Sequence, residues 1–364
     1  MFQKITSNSF SKSDLIHFLS LEGNEMNTLF QKSEEIKLKY VGSSVYLRGL
    51  VEFSNICRKD CFYCGIRQGN KNVSRYQVTE DEVIEAAKFA YRHNYGSLVL
   101  QSGELMNQMF TDTIARLLER IHKETNHSLG ITLSLGEQTK ETYRKWFNAG
   151  AKRYLLRIES SNKELFEKIH PNNENHRYED RIEALHRLRD VGYQVGTGVM
   201  IGLPFQTIEN LAEDLLFFKE LDIDMVGMGP YLEHEETPLI EYKNQLLPKE
   251  KRLELALKMV AVLRIMMKDI NIAATTALQT LNPNGRQTAL KIGANIVMPN
   301  LTPNKYRENY FLYENKSITK DDALKYHQSL EEEIQSIGGQ IAYGLHGDSL
   351  HFNNRNSSTS VSHL

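Results

Sequence analysis

Between residues 45 and 298, short apolar runs alternate with helix-length stretches, eight of each, and no Gly-, Pro- or Ser-rich tract breaks the series. Each apolar run ends in small or polar residues. These observations predict an α/β fold: a (βα)8 TIM barrel with N-terminal helices and a C-terminal helical extension. Apolar strands without polar alternation belong to a parallel sheet covered on both faces, and parallel strands need a crossover between them. Eight such units can close into a barrel. Residues 1–44 are then an N-terminal helical extension, 45–312 the barrel, and 313–364 a C-terminal extension.

The extension at the start reads as two helices. The first has Leu15, Phe18 and Leu19 on one face and Ser13 as its N-cap. In the second, over residues 25–39, Leu29, Ile36 and Leu38 alternate with charge; the pair could cover one end of the barrel or meet a partner, and plain packing is the favoured reading. Strand 45–53 follows. Thr79 and Glu82 make a capping box for a helix to about residue 93. Then come strand 97–101 and helix 111–125, strand 131–134 and helix 139–148, strand 154–157 and helices 163–169 and 178–191. Gly150 and Gly192 close two of these helices. Strand 194–200 leads to helix 208–221, strand 225–228 to helix 248–268, strand 272–275 to helix 285–292, and 295–298 is the last strand. Residues 321–337 read as an amphipathic helix. The Asn- and Ser-rich stretch 353–364 reads as a mobile tail.

Composition narrows the function classes. A formal charge of −2 gives no basic surface for nucleic acid or membrane. The first residues lack the layout of a signal peptide, and no apolar run approaches bilayer length, so the expected location is the cytoplasm.

Strand 45–53 runs into EFSNICRKDCFYCG, which holds Cys57, Cys61 and Cys64 at a C-x3-C-x2-C spacing. The chain has 3 cysteines in all, an odd set that cannot pair into disulfides. Zinc would want a fourth ligand from far away in the sequence, and a zinc-stabilised scaffold barrel is the reading without catalysis. An iron–sulfur cube takes four ligands. Three thiolates leave one iron open to a small molecule. In such a barrel the site gathers where strands end. Those ends carry Ser102, Gly103 and Glu104; Ser134, Gly136 and Glu137; Arg157 and Glu159; Met200 and Gly202; Gly227 and Gly229; Thr275 and Thr276; and Asn300. Arg153 and Arg157 are strand cations that need anionic partners. His234, among Glu233, Glu235 and Glu236, reads as part of a charged surface loop. The glycines at 196 and 198 lie within a strand and make no dinucleotide fingerprint.

The cysteine spacing, with Tyr63 just before the third cysteine, resembles the radical S-adenosylmethionine (SAM) superfamily. The strings VEFSNICRKDCFYCGIR, LVLQSGE, ITLSLGE, RYLLRIES, MIGLPFQT, DMVGMGP, IAATTA and GANIVMPNLTP, in this order, resemble the HydE family of [FeFe]-hydrogenase maturases. The resemblance implies a [4Fe–4S] cluster on Cys57, Cys61 and Cys64. It implies SAM on the open iron, an external electron donor, and reductive cleavage to a 5′-deoxyadenosyl radical. It assigns SAM binding to Tyr63, Ser102, Gly103, Glu104, Ser134, Glu159, Arg181, Met200, Met228 and Gly229. Gln101, Thr275, Thr276 and Tyr306 are assigned to a substrate cavity. The implied substrate is an Fe(CO)2(CN)–cysteine complex from the maturase HydG, with HydF downstream. Biotin synthase and methylornithine synthase share the architecture, so a related enzyme with another small-molecule substrate is the alternative. Two departures stand out. No cysteine follows Cys64, so a second cluster held by cysteine is excluded. Ile158 stands where family members can carry His.

Overall fold

The computed structural model describes residues 10–313 and 323–361. The strands are β1 (Ser44–Ser54), β2 (Ser97–Ser102), β3 (Gly130–Ser134), β4 (Ala151–Leu155), β5 (Gln194–Thr197), β6 (Met200–Ile201), β7 (Met225–Val226), β8 (Gly229–Pro230), β9 (Asn271–Ile272), β10 (Ile296–Val297) and β11 (Gln340–Ile341). Eight of them lie side by side in the order β10-β1-β2-β3-β4-β5-β7-β9, all parallel. A bridge from Ala273 to Ile296, with the Ala274 N–H on the Ile296 carbonyl at 2.9 Å, joins the two ends. The helices predicted between the strands lie outside this sheet. Among the described residues no helix is long and apolar enough to cross a membrane.

The boundaries correct the sequence reading in several places. β4 begins at Ala151 and ends at Leu155, so Arg157 lies beyond it. β5 stops at Thr197 instead of reaching Met200. The cause is a close approach: a side chain on Gly198 would collide with the Gly227 carbonyl. Val199 turns to pair with Glu159, and the ladder resumes as the β6–β8 pair. Ser11, not Ser13, caps the first helix (Lys12–Ser20), where Asp14 completes a capping box. The second helix, Gly23–Tyr40, buries Leu29, Ser33 and Lys37, one turn apart, whereas Leu38 is 51% exposed. Ser33 Oγ donates to the Ala261 and Ile292 carbonyls, and Lys37 Nζ to the Leu290 carbonyl at 2.7 Å. Both helices therefore pack on the outer helices Ile208–Glu220, Lys249–Met266 and Gly285–Ile292, not over an end of the barrel.

The largest correction concerns the C-terminus. Residues 350–361 form a helix, and the segment before it lies across the strand starts. β11 extends the start of β1 in parallel. The Gly347 carbonyl accepts from Arg48 and Asn271 at 2.9 and 2.8 Å. Asp348 accepts from Arg153 at 2.6 Å and Gln194 at 2.8 Å, which gives the buried Arg153 its anionic partner. Arg355 pairs with Asp222 and Asp224. This segment is the floor of the barrel. His351 bonds Asp269 at 3.1 Å and Asp222 at 2.6 Å, and those carboxylates raise its imidazole to about 9. A pKa raised on folding adds stability that is complete below the unfolded value near 6.5 and is lost as pH rises through about 9. The free energy of unfolding is expected to fall between about pH 7 and 9.5, by about 1 kcal/mol more in the wild type than in His351→Gln. Equal slopes in the two proteins would refute this.

Candidate active site

β1 delivers the cysteine loop to the carboxyl end of the barrel, and the turn after β2 receives it. The Gly103 N–H bonds the Ser54 carbonyl at 2.8 Å, and the Arg58 N–H bonds the Glu104 carbonyl at 2.8 Å. A side chain on Gly103 would strike the Ile56 carbonyl, so this glycine sets the approach of turn to loop. Two backbone N–H groups, of Glu104 and Lys59, point at Cys57 Sγ from 3.3 and 3.4 Å. The Cys64 N–H bonds the Cys61 carbonyl.

Burial raises all three thiols, Cys61 to about 12. A thiolate here needs a metal's charge to form. Among the described residues no group of three or more His, Cys, Asp or Glu stands where it could hold one metal ion. A cube asks something different, since each thiolate ligates its own iron. Three thiols on one loop, with backbone N–H groups on Cys57 Sγ, fit a cube with one open iron better than a single tetrahedral ion.

Behind the loop lies a buried charge network. Glu104 accepts from Arg58 Nε at 3.0 Å and from the Glu137 N–H at 2.9 Å, with Lys59 Nζ 3.5 Å away. Glu137 pairs with Lys59 at 2.8 Å and with Arg181 Nε. Arg181 Nη1 also donates to the Arg157 carbonyl at 2.5 Å. Burial, with Glu137 adding to it, raises Glu104. Burial would raise Glu137 too, yet Arg181 and Lys59 hold it down to about 2. The Glu104 side chain is thus occupied within the protein. What the Ser102-Gly103-Glu104 turn offers a ligand is chiefly its backbone.

Glu159 sits at φ 66°, a left-handed conformation that costs a non-glycine residue energy and clusters at functional sites. Its N–H bonds the Gly198 carbonyl, its carbonyl takes the Met200 N–H, and Arg157 Nε and Nη2 both bind its Oε2. Arg157 therefore finds its anionic partner at this mouth, opposite the end where Arg153 finds its own. Tyr63, Phe62, Met200 and Phe205 pack against a small apolar cluster that includes Leu165, Leu203 and Tyr231. Met228 is fully buried in the main core, and its carbonyl accepts from Thr275 Oγ1 at 3.3 Å. A side chain on Gly229 would meet that same hydroxyl. Ile158, fully buried, leaves no polar group at its position.

Deeper in, Ser134 and Gln101 are partners across β3 and β2, and Gln101 Nε2 donates to the Tyr310 hydroxyl at 3.2 Å. Tyr306, expected in the cavity, turns away: its ring stacks on Tyr76 at 4.9 Å and its hydroxyl bonds Glu82 on an outer helix. Tyr310, just past the end of the short helix Asn304–Arg307, takes the inward place. Thr275 caps the short helix Thr276–Leu281, which the sequence reading missed. Glu52 is buried, with Asn300 Nδ2 on its Oε2 at 3.0 Å. His234, expected in a surface loop, lies against Gly65 of the cysteine loop. Sequence reasoning did not single out Arg58, Lys59, Glu52 or Tyr310 as site residues. Only Arg58 and Lys59 carried a signal, as cations placed between two ligand cysteines.

A barrel with three thiols at its carboxyl mouth is the arrangement of a radical SAM enzyme, and the model of the Radical SAM superfamily matches residues 51–218. The chain is 44% identical to the [FeFe] hydrogenase maturase subunit HydE of Thermotoga maritima over 317 residues, 87% of each chain. It belongs to the HydE family of radical SAM enzymes, which work with a [4Fe–4S] cluster and SAM. It is also 26% identical to 3-methylornithine synthase of Methanosarcina acetivorans, over 91% of this chain and 90% of that one. The crystal structure of methylornithine synthase (PylB) superposes with a TM-score of 0.79 at 25% identity, covering 94% of this chain and 97% of that one. The maturase HydG from Carboxydothermus hydrogenoformans shares the fold with a TM-score of 0.78 at 18% identity, over 94% and 78% of the two chains.

Proposed function

We propose that this enzyme acts in assembly of the [FeFe]-hydrogenase active-site cluster, in the cytoplasm, with residues 45–312 as its catalytic unit. The observation that carries this reading is the 44% identity to a HydE maturase across 87% of both chains. Cys57, Cys61 and Cys64 hold the [4Fe–4S] cluster. The turn Ser102–Glu104, Ser134, Glu159, Arg181, Met200, Met228 and Gly229 surround SAM, with Tyr63 beside the cluster. Bound there, the cluster supplies the electron that cleaves SAM to a 5′-deoxyadenosyl radical.

The chain's own residues orient and exclude. Arg157 fixes the Glu159 carboxylate through Oε2, and among the described residues none bonds Oε1, so that oxygen can address SAM. Arg181, anchored by Glu137, carries the fixed positive charge that a SAM carboxylate needs. Tyr63, Met200 and Phe205, packed on the apolar cluster around Leu203 and Tyr231, keep water from that mouth. The substrate is a small organometallic complex of the Fe(CO)2(CN)–cysteine type, received in a cavity bounded by Gln101, Tyr310, Thr275 and Thr276. HydG as supplier, HydF as acceptor and an external electron donor complete the reading.

Complementation tests it. The wild-type gene is expected to restore active hydrogenase to a host lacking its HydE, and a Cys61→Ser control is not. The second reading, a methylornithine-synthase-like substrate, draws on the similarity over 91% of the chain to 3-methylornithine synthase. Failure to complement, with intact SAM cleavage, would favour it.

A further inference from the structure

The inner face of the outer helix Ile208–Glu220 is apolar at Leu211, Ala212, Leu215 and Phe218, and one acid interrupts it. Asp214 is 0% exposed, and among the described residues its Oδ2 has no hydrogen-bond partner. Burying a carboxyl with one oxygen unpartnered costs stability, so its place calls for a reason. The other oxygen gives one. Oδ1 accepts both the Ser161 N–H at 2.7 Å and the Ser161 hydroxyl at 2.6 Å. The Ser161 carbonyl accepts from the Tyr178 hydroxyl at 2.7 Å, so every polar group of Ser161 is used. Next along the chain, the Asn162 amide donates to Glu213 at 3.0 Å.

Ser161 stands two residues after Glu159, with the fully buried Ser160 between them. On the barrel side, the Glu159 backbone is tied to Gly198 and Met200. The left-handed turn at Glu159 is thus held from two directions, by the ladder within and by Asp214 from the helix layer. A non-glycine residue stays left-handed only where its surroundings over-determine it. Burial pushes the Asp214 carboxyl up to about 7, so the neutral amide of an asparagine is a close copy of it.

We propose that Asp214 is a positioning residue for SAM: by pinning Ser161 it holds Glu159 left-handed, with its carboxylate set against Arg157. This rests on Glu159 being a SAM ligand. Asp214 acts only through Glu159.

The test uses the full chain, reconstituted without oxygen, and reads KM for SAM and kcat for 5′-deoxyadenosine formation with dithionite. Asp214→Ala is expected to raise KM about tenfold and to leave kcat within about twofold, because what is lost is the placing of a binding group. Asp214→Asn, whose Oδ1 can accept both bonds, keeps the wild-type KM. Glu159→Gly is expected to raise KM as well. A glycine turns left-handed unaided and carries no carboxylate, so adding Asp214→Ala to Glu159→Gly raises KM no further. An unchanged KM in Asp214→Ala overturns the proposal. So does a rise as large in Asp214→Asn, or a rise that persists undiminished in the Glu159→Gly background. Should Asp214→Ala not fold, Ser161→Ala decides. It removes one of the two donors and is expected to raise KM about threefold, and an unchanged KM overturns the proposal.

The pin is also read without SAM. Amide exchange at Ser161 is expected to quicken about tenfold in Asp214→Ala and not in Asp214→Asn. Equal exchange in the wild type and both variants overturns the proposal at the pin. Where that split is found but Glu159→Gly keeps the wild-type KM, the proposal falls instead through the assignment of Glu159 to SAM.

Discussion

Cys61→Ser is expected to abolish cluster binding while leaving the fold in place. The serine is nearly the same size, and its buried hydroxyl costs about 1–3 kcal/mol at most. The reconstituted wild type should be brown, with about four irons per chain. The variant should be colourless and should form no 5′-deoxyadenosine with dithionite and SAM. Cys57→Ser and Cys64→Ser should behave alike, because a cube held by two thiolates has two irons without protein ligands. Iron content and SAM cleavage close to wild type in any one of the three would remove that cysteine from the ligand set.

The second large effect is expected at Arg181. Its guanidinium is buried and serves Glu137 and the Arg157 carbonyl at once. Arg181→Met leaves two buried carboxylates, Glu104 and Glu137, with fewer cations, and should cost about 3–5 kcal/mol of stability. Arg181→Lys keeps the charge but has no planar fork to reach both partners, and should cost about 1–3 kcal/mol. SAM affinity should fall more than about tenfold in both. Acid titration supplies the sign. A carboxyl held down on folding contributes stability that is complete above its unfolded value near 4.5 and is lost as pH falls through about 2. The Arg181→Met protein should therefore lose less on acidification than the wild type. Chemical denaturation across that range measures it, and parallel curves would mean that Arg181 does not hold Glu137 down.

These residues also show how far the sequence could be read. The cysteine triplet and the strand–helix alternation were legible because both are local signals, a spacing and a period. Glu159 and Arg181 were legible through a family string, although nothing local announced the left-handed backbone of Glu159. The Lys59–Glu137 pair spans 78 positions, and no local pattern carries such information. β5 ends early because of the Gly198–Gly227 contact, which exists only once two strands lie side by side. Tyr306 and Tyr310 are four positions apart and chemically identical. Only the stacking of Tyr306 on Tyr76 decides which of them faces inward. The C-terminal helix is polar and has no apolar stripe to announce it. It is ordered by docking, through His351 and Arg355, against carboxylates at 222, 224 and 269.

That docking has a consequence for traffic. Gly347, Asp348 and the helix behind them stopper the barrel at the strand starts, so the neck of this flask is the opposite end. The cysteine loop is set in the neck. If SAM sits at that neck as proposed, a molecule on its floor side would enter first and leave last. Binding order would then be compulsory, with SAM as the lid on whatever was loaded before it.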